Sequence, residues 1–249
     1  DPPYPHKIMK ENKLVKSIFI GIAGPSGSGK SSLCKILEKK SKLYEHIKLD
    51  DYFKSPKTFP KKFGFPNWEL PSNLKFDKLL SDLKKLKAGK IVKTKDFPKS
   101  KGGKAKPITL FPKKYVLVEG FMLFKNKKIR DFLNVKIYLD LPKNTIIERR
   151  KIRFGQDYLN DYDIKVAIPE FLKHGITQKK HADYIVNANK QQEKVIKEIE
   201  NIIKIKVNKK KIVISEEDED WALTQIVLER QKNHDGKFIS YEEIKKKFF

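Results

Sequence analysis

The feature that most restricts this chain is the octapeptide GPSGSGKS, running from Gly24 to Ser31. A β-branched apolar run, Lys16 to Ile22, precedes it, and Leu33, Ile36 and Leu37 follow at helical spacing. Strand, glycine-rich turn and helix in that order form the context a phosphate cradle requires. Glycines let the backbone wrap closely around phosphate oxygens, and inward-turned N–H groups make an anion nest. The N-terminus of the following helix adds partial positive charge. Gly24, Pro25, Ser26, Gly27, Ser28, Gly29, Lys30, Ser31 and Ser32 are therefore the candidate contacts to the phosphates of ATP. Lys30 can reach the β- and γ-phosphates, and the Ser31 hydroxyl can ligate Mg²⁺.

Such a loop serves kinases, motors, switches and transporters alike, so the rest of the chain has to narrow the class. Further apolar runs at Glu45–Leu49, Tyr115–Val118, Val135–Leu139 and Asp183–Val186 alternate with helical patterns. Those helical patterns lie at about 73–88, at Asn144–Arg153, from about Lys165 to His174, and at Gln191–Ile205, with Asn73 as the expected cap of the first. Alternation of this kind implies an α/β fold: a central parallel sheet with helices on both faces. Ile91–Thr94 and Ile108–Phe111 read as a small β-hairpin flap spanning about 91–111, and Tyr52–Ser72 as an active-site loop. The expected organisation is an N-terminal arm (1–15), a P-loop kinase domain (16–206) with a lid at about 150–165, and a helical C-terminal extension (207–249). In that extension Lys211–Ile214 reads as a strand, Asp220–Lys232 as a helix, and Ser240 with Glu243 as a capping box.

Three placements carry chemistry. Asp50 ends the second apolar run, on the sheet edge where open α/β folds bind ligands; a carboxylate there can take a proton from a hydroxyl or help hold a metal. Glu119 closes the all-apolar run YVLV and is placed to position Mg²⁺. Three of the five arginines, Arg149, Arg150 and Arg153, fall within five residues of a chain whose cations are otherwise lysines. Their planar, bidentate guanidinium groups suit a phosphate clamp under a closing lid.

With these residues in view, the chain resembles the uridine kinases and the related nicotinamide riboside kinases. The resemblance rests on GPSGSGKSS, LDDYFK (Leu49 to Lys54), NWELP (Asn67 to Pro71), VEGFMLF (Val118 to Phe124), ERRKIR (Glu148 to Arg153) and KKHADYIV (Lys179 to Val186), in that order. It covers about residues 18–203. It implies transfer of the γ-phosphoryl group of ATP to a hydroxyl, most often the 5′-hydroxyl of a nucleoside. It further implies Asp50 as base, Glu69 on the ribose hydroxyls, Ser31, Glu119 and Asp50 around Mg²⁺, and Lys30, Arg150 and Arg153 on the transferring phosphates. Arg149 would join the ATP contacts, and Tyr52, Asp96 and Phe97 the acceptor contacts. Uridine kinases read their base with a Tyr and a His in a PxYDxxxH-like flap. The matching stretch, Lys93 to Ser100, keeps Asp96-Phe97 and lacks both readers. Nicotinamide riboside or another small alcohol is accordingly the alternative acceptor.

The net charge of +25 raises a second class, a nucleic-acid-binding ATPase or regulatory module. Of the 56 basic residues only five are Arg, and the lysines are spread along the whole chain, so a nucleic-acid partner is not expected. The flap lysines Lys99, Lys101, Lys104 and Lys106 keep that alternative open. One cysteine, Cys34, fits a reducing compartment, and no stretch reaches the ~20 apolar residues of a membrane span. A cytoplasmic protein with a small-molecule acceptor is expected; homo-oligomer formation is left open.

Overall fold

A computed structural model describes residues 17–98, 103–155 and 159–211. The expected N-terminal arm lies outside them, as do the elements expected beyond 211. Two compact units are distinguished, Asp1–Asn201 and Ile202–Phe249; in the second, the described residues are the last turns of one helix.

The first unit begins with β1 (Ile18–Ala23), α1 (Lys30–Lys40) and β2 (Tyr44–Lys48). A two-residue hairpin, β3 (Lys61–Lys62) with β4 (Phe65–Pro66), interrupts the expected loop before α2 (Phe76–Lys87). Then come β5 (Val92–Lys95), β6 (Pro107–Leu110), β7 (Tyr115–Gly120), α3 (Lys127–Phe132), β8 (Val135–Asp140) and α4 (Lys143–Phe154). A helical stretch from Asp163 to Gly175 alternates π turns with the short α5 (Ile168–Glu170), and β9 (Tyr184–Asn187) and α6 (Gln192–Lys211) follow.

Five strands form one parallel sheet in the order β2-β7-β1-β8-β9. Nearly every residue of β1 and β7 is buried, which requires cover on both faces of the sheet and explains why these runs lack polar alternation. Phe19, Ile47, Val116, Val118, Leu79, Leu83 and Leu86 share one core cluster, so the apolar face of α2 packs into the same core as the sheet. β5 and β6 pair antiparallel from Val92–Leu110 to Lys95–Pro107, which is the expected flap.

Local details differ from expectation. Asn73 does not cap α2: it is buried in a 3-10 turn, where its amide donates to the Asn67 carbonyl at 2.6 Å, and Lys75 takes the cap position. A buried carbonyl that needed a donor outweighed an exposed helix end that water can satisfy. The short α3 was not anticipated. Its start is capped by Asn126, whose side-chain oxygen accepts from the Ile129 N–H at 3.1 Å.

Candidate active site

The phosphate loop connects β1 to α1 at the middle of the sheet. Gly27 has φ +83°, and a Cβ built there would stand 3.0 Å from the Arg149 Cβ, so glycine is needed for both conformation and close approach. Arg149 answers that approach: Nη1 donates to the Gly27 carbonyl at 3.0 Å and Nη2 to the Ala188 carbonyl at 3.4 Å. Within the loop the buried Lys30 ammonium donates to the carbonyls of Gly24 (3.0 Å) and Pro25 (2.8 Å).

Neighbouring strands bring the acids alongside. Lys48 pairs in register with Glu119, so the turn carrying Asp50 leaves the sheet beside the end of β7. Gly120 is needed at that end, because any Cβ there would run into the Leu49 side chain. The Ser31 hydroxyl donates to Glu119 Oε1 at 2.7 Å, and His46 Nε2 stands 3.6 Å from the same oxygen, beyond hydrogen-bond length. Burial pushes the Glu119 carboxyl up, but His46, Lys30 and Ser31 together outweigh it and hold the group below the usual carboxylate value. An ionised carboxylate and a hydroxyl side by side are hard oxygen donors of the kind Mg²⁺ accepts, which takes few protein ligands and fills its octahedron with water and phosphate. The residues present therefore fit that ion.

A cavity of about 400 Å³ opens in front of these groups. It is lined by Ser26, Lys30, Ser31, Asp50, Glu119, Glu69, Arg150, Asn160, Tyr162 and Asp163, with the packed rings of Phe53, Trp68 and Phe121 as an aromatic wall. Arg150 is buried and its Nε donates to Asp163 Oδ1 at 2.9 Å, with Nη2 on the same oxygen. The Tyr162 hydroxyl donates to Glu69 Oε1 at 3.4 Å and accepts from the Trp68 N–H at 3.3 Å. Burial raises the Glu69 carboxyl to about 7, with Asp50 and Asp163 adding to the rise and Arg150 and Tyr162 opposing it.

Of the residues expected at the site, the fold brings Ser26, Lys30, Ser31, Asp50, Glu69, Glu119 and Arg150 around this one cavity. Gly24, Pro25, Gly27, Ser28, Gly29 and Ser32 belong to the same loop and its helix start, with Arg149 packed against it. Arg153 lies in α4, its side chain outside the described residues. Three expected acceptor residues stand elsewhere. Tyr52 is a core residue whose hydroxyl donates to Asp82 at 3.1 Å, because the 3-10 turn Leu49–Tyr52, with three residues per turn, puts it on the same buried side as Leu49. Asp96 accepts the Lys106 N–H at 2.6 Å and so closes the flap hairpin. Phe97 packs edge-on against Phe53 and Trp68, behind the wall instead of in front of it. Tyr162, Asp163 and Asn160 were missed: the stretch around them reads only as polar, and nothing in its spacing marks the buried acceptor for Arg150.

A parallel sheet with a phosphate loop at its centre and a carboxylate beside it defines the class, a P-loop nucleotide-binding protein. The description "Phosphoribulokinase / Uridine kinase family" matches residues 19–195, and the chain belongs to that family. It is 31% identical over 189 residues to a uridine kinase of Chlamydia pneumoniae, covering 72% of this chain and 85% of the relative. With a uridine kinase of Staphylococcus epidermidis it shares 32% over 183 residues, 69% of this chain and 87% of that one. A solved chain from Silicibacter sp. TM1040, 20% identical, shares the fold at a TM-score of 0.52 over 71% of this chain and 93% of its own.

Proposed function

We propose that this chain transfers the γ-phosphoryl group of ATP to a hydroxyl of a nucleoside, with the 5′-hydroxyl as the reacting group. One observation carries the reading. Lys30 and Ser31 line the same cavity as Asp50, Glu69 and Arg150, so a phosphate donor and a hydroxyl acceptor fit against each other inside it.

In this reading the loop N–H groups and Lys30 hold the β- and γ-phosphates. Ser31 and Glu119 would hold Mg²⁺, which when bound would neutralise charge on the transferring phosphates. Asp50 accepts the proton of the attacking hydroxyl, and Glu69 orients the vicinal hydroxyls of the sugar. Arg150, with Arg153, offers positive charge to the phosphoryl group in flight. Positioning and electrostatics supply most of the rate in such in-line transfers.

The acceptor's ring would lie on Phe53, Trp68 and Phe121, where the Trp68 indole N–H is the one polar side-chain atom of the three. Such a wall stacks a flat ring without reading its edge, which favours nicotinamide riboside or another flat-ringed alcohol as the second reading. ADP release measured with Mg²⁺ across nucleosides, nicotinamide riboside, pantothenate and glycerate tests both readings. Turnover on none of them defeats the nucleoside reading. Hydrolysis stimulated by oligonucleotides at physiological salt would move the chain to the other class.

A further inference from the structure

Two adjacent acids, Asp50 and Asp51, follow β2, and the 3-10 turn Leu49–Tyr52 separates them. Asp50 lines the cavity, whereas Asp51 faces the cleft on the far side of the Phe53–Trp68 wall. There the Asp51 carboxylate accepts the backbone N–H of Phe97 at 3.0 Å, a contact bridging 46 residues. Phe97 lies two residues beyond β5, whose pairing with β6 is extended by the Asp96 N–H donating to the Lys106 carbonyl at 2.9 Å. Its ring meets Phe53 at 5.6 Å and Trp68 at 5.9 Å between centroids, edge-on in both cases. Asp51 is half-buried, so water competes less for its carboxylate than it would at an open surface.

We propose that Asp51 is a positioning residue: by holding the Phe97 backbone it sets the flap against the aromatic wall on which the acceptor's ring rests. It touches neither the phosphates nor the reacting hydroxyl, and acts through Phe97, Phe53 and Trp68. The inference rests on the acceptor reading above for its kinetic consequence, but not for its structural one. The same short turn carries the proposed base at one position and the flap tether at the next.

The test uses the full chain with Asp51→Ala, Asp51→Asn and the shape-matched Asp51→Leu. Steady-state kinetics are run with the best acceptor from the panel, and amide exchange is measured for the peptide covering residues 92–98. Losing this hydrogen bond predicts a rise of about two- to tenfold in acceptor KM for Ala and Leu. KM for ATP and kcat should hold to within about twofold, because no transition-state contact is removed. Asp51→Asn keeps a carbonyl oxygen in place and should recover most of the loss. Exchange in 92–98 should quicken in Ala and Leu while β1 and β7 stay protected. A general structural defect would instead lower kcat, loosen the core strands and leave Asn no better than Ala. Unchanged acceptor KM and unchanged exchange in Ala and Leu overturn the proposal. If the wild-type chain turns over no acceptor, the functional reading fails, and the exchange data alone decide whether Asp51 holds the flap.

Discussion

The Ser31 hydroxyl donates to Glu119 Oε1 across 2.7 Å, tying the start of α1 to the end of β7 at the centre of the sheet. This contact joins the phosphate loop to the strand that carries Glu119. Glu119→Gln keeps the shape and removes the charge. Apparent Mg²⁺ affinity should fall by about 10- to 100-fold, with ATP-dependent turnover recovering only partly at high Mg²⁺. A Mg²⁺ titration of initial rates checks this; an unchanged midpoint removes Glu119 from the metal site.

Asp50 lines the cavity beside Lys30 and Ser31. Asp50→Asn should leave nucleotide binding intact and lower kcat by roughly 10²- to 10⁴-fold, the usual contribution of a positioned base. Nucleotide binding by calorimetry together with kcat separates the two effects, and an unchanged kcat excludes Asp50 as base.

Glu69 gives a pH dependence with a definite sign. Its carboxyl is raised from 4.5 to about 7 by burial, so the folded protein keeps a proton that the unfolded chain releases. Stability from this group is present below the unfolded value and is lost as pH rises through the folded one. Glu69→Gln should therefore gain on wild type between pH 4.5 and 7, by at most about 3.5 kcal/mol at ~1.4 kcal/mol per unit. Denaturant midpoints at pH 5 and pH 8 measure the gap; a constant gap contradicts the assignment. Acceptor KM should fall as pH rises through about 7, where the folded protein's Glu69 ionises, since only the ionised carboxylate accepts from two hydroxyls.

Arg150 and Asp163 form a buried pair. Removing the carboxylate with Asp163→Ala takes the main charge partner from a buried guanidinium and should cost about 3–5 kcal/mol. Asp163→Asn, which keeps an acceptor oxygen, should cost less. Urea unfolding of both variants checks the order. Equal stability of Ala and wild type would mean that water replaces the carboxylate.

Much of this protein was legible before any coordinates. The phosphate loop, the parallel strands and the acids at their ends follow from local rules: glycine where the chain must bend tightly, apolar runs where both faces are covered, polar residues where strands stop. These are short-range properties, written within a few residues of where they act. The family's motifs extended that reading to Glu69 and the arginines.

Only the tertiary structure decided which of these residues meet. Tyr52 and Phe97 sit within motifs that suggested acceptor contact, yet packing turned Tyr52 toward Asp82 and placed Phe97 behind Phe53 and Trp68. Tyr162 and Asp163 carried no local signal and gained partners from 93 and 13 residues away. Side-chain direction and long-range pairing depend on how separate elements close around one core. The sequence by itself therefore determined the phosphate-binding half of the site, and the fold decided the acceptor half.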